Sequence, residues 1–369
     1  MAEGFNVGKY DRNMAAGVSG ETGLCWHSVD EAGFRLSGFP FRAPGGAFRR
    51  MPAAPEGTYP PGVTGLERHT SGGVLSFRTD SARLAVRVRL AATARMYHMA
   101  LTGCAGFDFY IGGPGERRFA GVPHFKTDDE AYELELFSFP LAPGVMREWQ
   151  LFFPLYGGVA EFALGLEPGA RVSAPTPWRD PRPVVVYGTS VTQGGCASRP
   201  GMSPTNLLCR RWNVPVLNFG FSGSGKGEPA VIEALTRVED PRLFILDYIG
   251  NAGFEGYRAT IGPALDMIRA KHPEVPIALA TSLCRNTYFL FPERSGCARE
   301  LADADAYIRE LAAARRRAGD PAIRVLESAL YGRFPDWDEC SVDGVHFTDL
   351  GFSRLAKLWG DQLADLMEA

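Results

Sequence analysis

A change of hydrophobic period near residue 175 constrains this chain more than any other feature. Upstream, from about Trp26 to Leu166, apolar and polar residues alternate in short runs broken by Gly, Pro and Asp. Leu84-Ala85-Val86-Arg87-Val88-Arg89-Leu90 and Tyr132-Glu133-Leu134-Glu135-Leu136 are clean cases, and Leu75–Thr79 and Phe107–Ile111 read the same way. Period-two alternation puts every second side chain on one face, the grammar of a half-buried strand. With turn signals roughly 8–12 residues apart and no long amphipathic helix, the pattern predicts a β-sandwich of jelly-roll type.

Downstream, short apolar runs (Val184–Tyr187, Val216–Phe219, Leu243–Asp247, Ile277–Thr281, Ile323–Leu326) alternate with helical stretches at Pro204–Trp212, Pro229–Leu235, Tyr257–Lys271, Ser295–Ala318 and Leu350–Met367. Five strands with interposed helices predict a parallel, three-layer α/β/α domain. The proline-rich Ser173–Pro183 stretch separates the two patterns. The expected organisation is a sandwich over 1–174, a linker over 175–183 and an α/β domain over 184–369. A length of 369 residues suits two domains at roughly 100–200 residues each, and 45% hydrophobic residues can bury a full core.

In open parallel sheets ligands bind beyond the carboxyl ends of the strands. Gly188-Thr189-Ser190 follows the first expected strand, Gly220-Phe221-Ser222-Gly223 the second and Ile249-Gly250-Asn251 the third. Asp343-Gly344-Val345-His346 stands just before the terminal helix. A serine hydroxyl needs a neighbouring imidazole to take its proton, and the imidazole needs an acceptor on its other nitrogen to fix tautomer and orientation. Ser190, His346 and Asp343 are therefore the candidate nucleophile, base and orienting acid. Backbone amides of Ser190 and Gly223 and the Asn251 side chain are the candidate oxyanion donors. Taken singly, a serine here is more often a helix cap and an asparagine usually closes a turn.

The order of these pieces resembles the SGNH (GDSL-like) hydrolase family. Gly188-Thr189-Ser190 is similar to the family's first block, Asn218–Gly223 to its second, Ile249-Gly250-Asn251 to its third and Asp343-x-x-His346 to its fifth. The resemblance covers about residues 183–367 and implies a flavodoxin-like α/β/α catalytic domain with Ser190, Gly223, Asn251 and His346 as its signature residues and Asp343 completing the triad. Two departures stand out: Thr189 replaces the usual Asp and Ile249 the usual Gly, neither at a position that attacks, relays a proton or donates to the oxyanion. The front half is similar to the N-terminal β-sandwich of two-domain members, and such sandwiches resemble carbohydrate-binding modules in shape. The resemblance implies acyl transfer through a Ser190 acyl-enzyme without cofactor or metal. Water as acceptor gives an esterase or deacetylase. A hydroxyl acceptor, with a thioester donor of the CoA type, gives an acyltransferase like relatives that tailor polyketides or sugars.

Rival readings have specific weaknesses. Gly220–Lys226 matches G-x-x-x-x-G-K, but Gly227 stands where a phosphate loop needs Ser or Thr for magnesium. The nucleophile elbow of α/β-hydrolases, G-x-S-x-G, is absent around Ser190. A non-catalytic ligand-binding protein would leave an active-serine probe without a target. Net charge of −3 gives no footprint for nucleic acid, and Leu151–Leu166, the longest apolar stretch, is broken by Pro154, Gly157-Gly158 and Glu161, so no membrane partner is expected. With no apolar leader in Met1–Gly23, the cytoplasm is the expected compartment. Seven cysteines without a C-x-x-C pair read as buried free thiols, and no histidine pair has ligand spacing. Arg199, Arg285, Tyr288 and Phe289, in loops flanking the expected site, are candidate contacts for an acyl ester or thioester substrate.

Overall fold

The computed structural model describes residues 7–11, 14–17, 23–93, 96–126, 129–137, 141–283 and 295–368. Among the described residues, ten strands lie before residue 174: β1 (Cys25–His27), β2 (Arg35–Ser37), β3 (Val74–Thr79), β4 (Leu84–Thr93), β5 (Asp108–Ile111), β6 (Arg118–Gly121), β7 (Ala131–Glu135), β8 (Arg147–Phe152), β9 (Gly157–Leu166) and β10 (Val172–Ser173). They form two antiparallel sheets, one ordered β1-β9-β4-β7, the other β10-β3-β8-β5-β6 with β2 also paired to β3. The alternation in sequence is the cause. On β4, Val86 and Val88 are buried while Arg87 and Arg89 face outward and pair with Glu133 and Glu161 on the neighbouring strands. Two short helices, Pro61–Leu66 and Leu101–Cys104, interrupt this half.

After the proline-rich stretch come β11 (Val184–Gly188), β12 (Val216–Gly220), β13 (Leu243–Asp247), β14 (Ile277–Ala280) and β15 (Ile323–Leu326), all parallel, in the order β12-β11-β13-β14-β15. That is the flavodoxin-type order, whose direction reverses between β11 and β13 and opens a crevice at their carboxyl ends. Successive residues of these strands belong to different cores. Val184, Val186, Leu243 and Ile245 join one apolar cluster; Val185, Tyr187, Phe244 and Leu246 join the other. Apolar strands of this kind are stable only with both faces covered. The helices are Ser190–Gln193, Pro204–Trp212, Pro229–Leu235, Ile249–Lys271, Ser295–Arg317, Asp349–Gln362 and Ala364–Glu368. Among the described residues, no helix is long and apolar enough to cross a membrane.

One feature departs from the sequence reading. A short helical turn at Ile249–Ala252 precedes the long helix expected around Tyr257–Lys271, the two being separated by a break at Gly253 (φ 66°, ψ 171°). The proline-rich stretch is anchored: the Arg179 amide donates to the Asn213 carbonyl (2.9 Å), Arg35 stacks on Trp178 (4.1 Å) and Asp180 pairs with Arg242. One apolar cluster runs without interruption from the sandwich, through Leu155 and Tyr156, to Val191, Cys196 and Ala197 near Ser190.

Candidate active site

Ser190 is the first residue of the short helix that follows β11, and the Thr189 side chain caps that helix by accepting from the Val191 amide (3.2 Å). Thr and Asp are both good N-caps, which accounts for a threonine where the family favours aspartate. As a first-turn residue Ser190 has a backbone N–H with no intrahelical acceptor, and it points where the helix dipole favours negative charge.

His346 arrives from 156 positions downstream, and its Nε2 lies 2.9 Å from the Ser190 Oγ. Its Nδ1 is 2.7 Å from Asp343 Oδ2, while Asp343 Oδ1 accepts from the amides of Val345 (3.0 Å) and His346 (2.8 Å). Gly344, at φ 85°, makes the tight turn that lets a carboxylate reach a ring three residues on. Burial alone would push the Asp343 carboxyl up; the hydrogen bonds from the His346 amide and ring and from the Val345 amide outweigh it and hold the group below its usual value. An anion on Nδ1 selects the tautomer whose Nε2 lone pair faces the serine hydroxyl.

The other rim residues converge on the same point. Gly223 lines the cavity at φ 64°, a conformation that would strain a side chain, and its amide has no acceptor among the described residues. Asn251 Nδ2 donates to the Phe221 carbonyl (3.1 Å), which fixes the amide and leaves its second hydrogen for a ligand. A cavity of about 350 Å³ is lined on its polar side by Ser190, Gly223, Asn251 and His346 and on its apolar side by Leu283 and Leu301.

The substrate contacts expected from sequence fare differently. Arg199 is corrected: it donates to buried Asp108 (2.7 Å) and to Tyr110, and stacks on Phe119 at 3.9 Å, so it locks a loop onto β5 and does not line the cavity. Arg285, Tyr288 and Phe289 lie outside the described residues. In the glycine-rich Gly220–Lys226 segment a Cβ at Gly220 would come within 2.2 Å of the Gln193 amide nitrogen and one at Gly225 within 2.2 Å of the Gly188 carbonyl; close packing accounts for these two glycines, and positive φ for Gly223.

Residues that sequence reasoning missed lie mostly in the front half. Arg50 is fully buried and donates to the carbonyls of Leu66, His69, Asn218 and Gly220 at 2.6–3.1 Å, with its guanidinium 4.6 Å above the Phe221 ring. Tyr156 Oη meets Ser222 Oγ at 2.6 Å, and Gln193 bridges Ser222 to His69. The loop carrying Gly223 is thus built against front-half side chains. Burial, with Arg50 second, pushes the His69 imidazole down to about 4. On the other side, His98 packs edge-on to His346 (5.4 Å between ring centres). Asp247, at the end of β13, accepts from Thr192 Oγ1 (3.2 Å), and burial, opposed only by that bond, pushes its carboxyl up to about 7. No local motif marks any of these residues.

Ser190, His346 and Asp343 in hydrogen-bond contact at the switch point of a flavodoxin-type sheet fit a serine hydrolase of the three-layer α/β class. Residues 181–364 match the GDSL-like lipase/acylhydrolase family, and residues 24–172 match the N-terminal region of SGNH-hydrolase-type esterases. The chain belongs to the GDSL-like lipase/acylhydrolase family, as a two-domain member of its esterase and acyltransferase enzymes. Among solved structures it is similar to a protein described as a GDSL-like lipase from Bacteroides ovatus, with a TM-score of 0.83 and 26% identity over 94% of this chain and 98% of that one. It is similar in fold to the salicylyl-acyltransferase SsfX3 from a tetracycline biosynthetic pathway (TM-score 0.72, 21% identity, 94% and 98% covered). A family two carbohydrate esterase from Clostridium thermocellum is a more distant likeness (TM-score 0.55, 14% identity, 81% and 93% covered). No curated protein sequence matches the chain.

Proposed function

We propose that this enzyme hydrolyses small acyl esters through an acyl-enzyme on Ser190. The observation that carries the reading is the unbroken pair of contacts from Ser190 Oγ to His346 Nε2 and from His346 Nδ1 to Asp343. In this mechanism His346 takes the hydroxyl proton as Ser190 Oγ attacks the carbonyl carbon, and Asp343 stabilises the imidazolium that forms. The developing oxyanion accepts from the Ser190 and Gly223 amides and the Asn251 side chain, donors fixed before the reaction begins. His346 then protonates the departing alcohol or thiol and activates water to release the acid. The acyl group rests against Leu283 and Leu301, and a cavity of about 350 Å³ suits a short one.

An acceptor alcohol in place of water would make the same acyl-enzyme an acyltransferase. Likeness in fold over nearly the whole length of a salicylyl-acyltransferase makes this the second reading. Incubation with a panel of acyl esters and acyl thioesters, with and without candidate alcohols, and mass analysis of the products separates the two. Release of free acid at a rate unchanged by any alcohol supports hydrolysis. New esters formed at the expense of free acid support transfer. No turnover of any ester or thioester would count against both.

A further inference from the structure

Beside the relay lies a second set of groups that the proposed mechanism does not use. His98, from the front half, and Cys196, from the loop after the nucleophile helix, stand next to His346, and one ligand atom from each of the three lies within 4.8 Å of the other two. The Cys196 position is firmly set. The Gly194 and Gly195 amides both donate to the Ser190 carbonyl (3.0 and 2.8 Å), and Cys196 itself takes a left-handed backbone conformation (φ 74°). Gly195 is pressed close to the His346 ring, since a Cβ there would come within 3.3 Å of Cδ2. Nδ1 of His98 is buried with no hydrogen-bond partner among the described residues, and its Nε2 is 3.9 Å from Asp343 Oδ2, too far for a hydrogen bond. Buried imidazole nitrogens normally have a partner, so this ring is placed for something else.

We propose that His98, Cys196 and His346 form a binding site for a thiophilic divalent cation, Zn²⁺, and that the bound ion arrests the enzyme. Two imidazoles and a thiolate are the donor set zinc favours, and bonds of about 2.0–2.3 Å in a tetrahedron set ligand atoms roughly 3.5 Å apart. From 4.8 Å, each side chain needs only a small inward movement. The side chains of His98 and His346 are 16% and 25% exposed, so the ion enters from solvent, with water as its fourth ligand and Cys196 beneath. Binding forms a Zn–S bond and releases the thiol proton to solvent. The inhibition follows from the proposed relay: both nitrogens of His346 already serve it, one toward Ser190 and one toward Asp343, and capture of either breaks the chain. Magnesium and calcium, which prefer oxygen ligands, do not substitute.

Calorimetric titration of the full-length protein with Zn²⁺, and absorption spectroscopy with Co²⁺ in its place, test the site directly. The expected result is one zinc per chain and a thiolate-to-cobalt charge-transfer band. His98→Gln and Cys196→Ser should each weaken zinc by at least about tenfold, in line with the cost of disturbing a metal's surroundings, and Cys196→Ser should remove the band. Zinc should block ester turnover in the wild type, with a matching rise in inhibitory concentration in both variants, while magnesium should have no effect. Zinc affinity and inhibition unchanged in both variants, or no zinc bound by the wild type, would overturn the proposal. Ser190→Ala keeps all three ligands and should still bind zinc. Turnover that survives Ser190→Ala while zinc still binds would therefore indict the serine mechanism and leave the metal site standing.

Discussion

Asp343 and His346 illustrate how much a single turn can specify. Their separation of three, with Gly344 free to adopt φ 85°, brings the carboxylate to Nδ1 and to two backbone amides at once, so the pair was legible in the sequence as one unit. The place of Asn251 on the cavity rim was legible for the same kind of reason, since it follows a strand on the ligand-binding edge. Replacing Asn251 by alanine removes one of the proposed oxyanion donors, and kcat should fall by about 100-fold or more with KM little changed. Steady-state kinetics checks this, and an Asn251→Ala enzyme with wild-type kcat would remove Asn251 from the site. Asp247 gave no such signal, because its burial depends on strands distant in sequence. Its carboxyl is pushed up from 3.8 to about 7 in the folded protein. Below pH ~4 the group is neutral in both folded and unfolded chains and carries no penalty. As pH rises toward 7 the unfolded chain ionises first, and the fold loses up to about 4 kcal/mol. Denaturation measured from pH 4 to 8 should show that loss in the wild type and a flatter profile in Asp247→Asn; identical profiles would contradict it.

Elements were easier to read than their supports. Strands β4 and β7 announced themselves by strict alternation, and β11 to β13 by short apolar runs followed by glycine or aspartate. The helical turn at Ile249–Ala252 was hidden because its residues follow a strand directly and Gly253 breaks the helical pattern. The loop after β12 shows what local sequence cannot convey: its glycines were visible, but Arg50, which collects the Asn218 and Gly220 carbonyls from 168 and 170 positions away, was not. Arg50→Met keeps most of the volume and removes every donor. Each buried carbonyl left unpaired costs about 1–3 kcal/mol, so several kcal/mol of stability should go. In protein that remains folded, kcat should drop more than KM rises, because the Gly223 loop loses its brace. Unchanged denaturation and kinetics in Arg50→Met would show that the loop holds its own shape.

At the scale of the whole molecule, the two periodicities correctly announced two architectures but not their dependence on each other. The apolar cluster that passes from Tyr156 to Val191 and Cys196, the Asp108–Arg199 pair, and the Tyr156–Ser222 bond all cross between the halves. Contacts between residues so far apart leave no trace in composition or spacing. They predict that residues 181–369 expressed alone lose ester turnover, whereas a tethered accessory module could be removed without effect; assay of the truncated chain decides between them. The central claim is that Ser190 carries the acyl group. Treatment with a fluorophosphonate, followed by intact mass and peptide mapping, tests it most directly: the account predicts a single adduct on Ser190, absent in Ser190→Ala, with turnover lost in parallel. An adduct on another residue, or ester turnover at wild-type rate in Ser190→Ala, would contradict it.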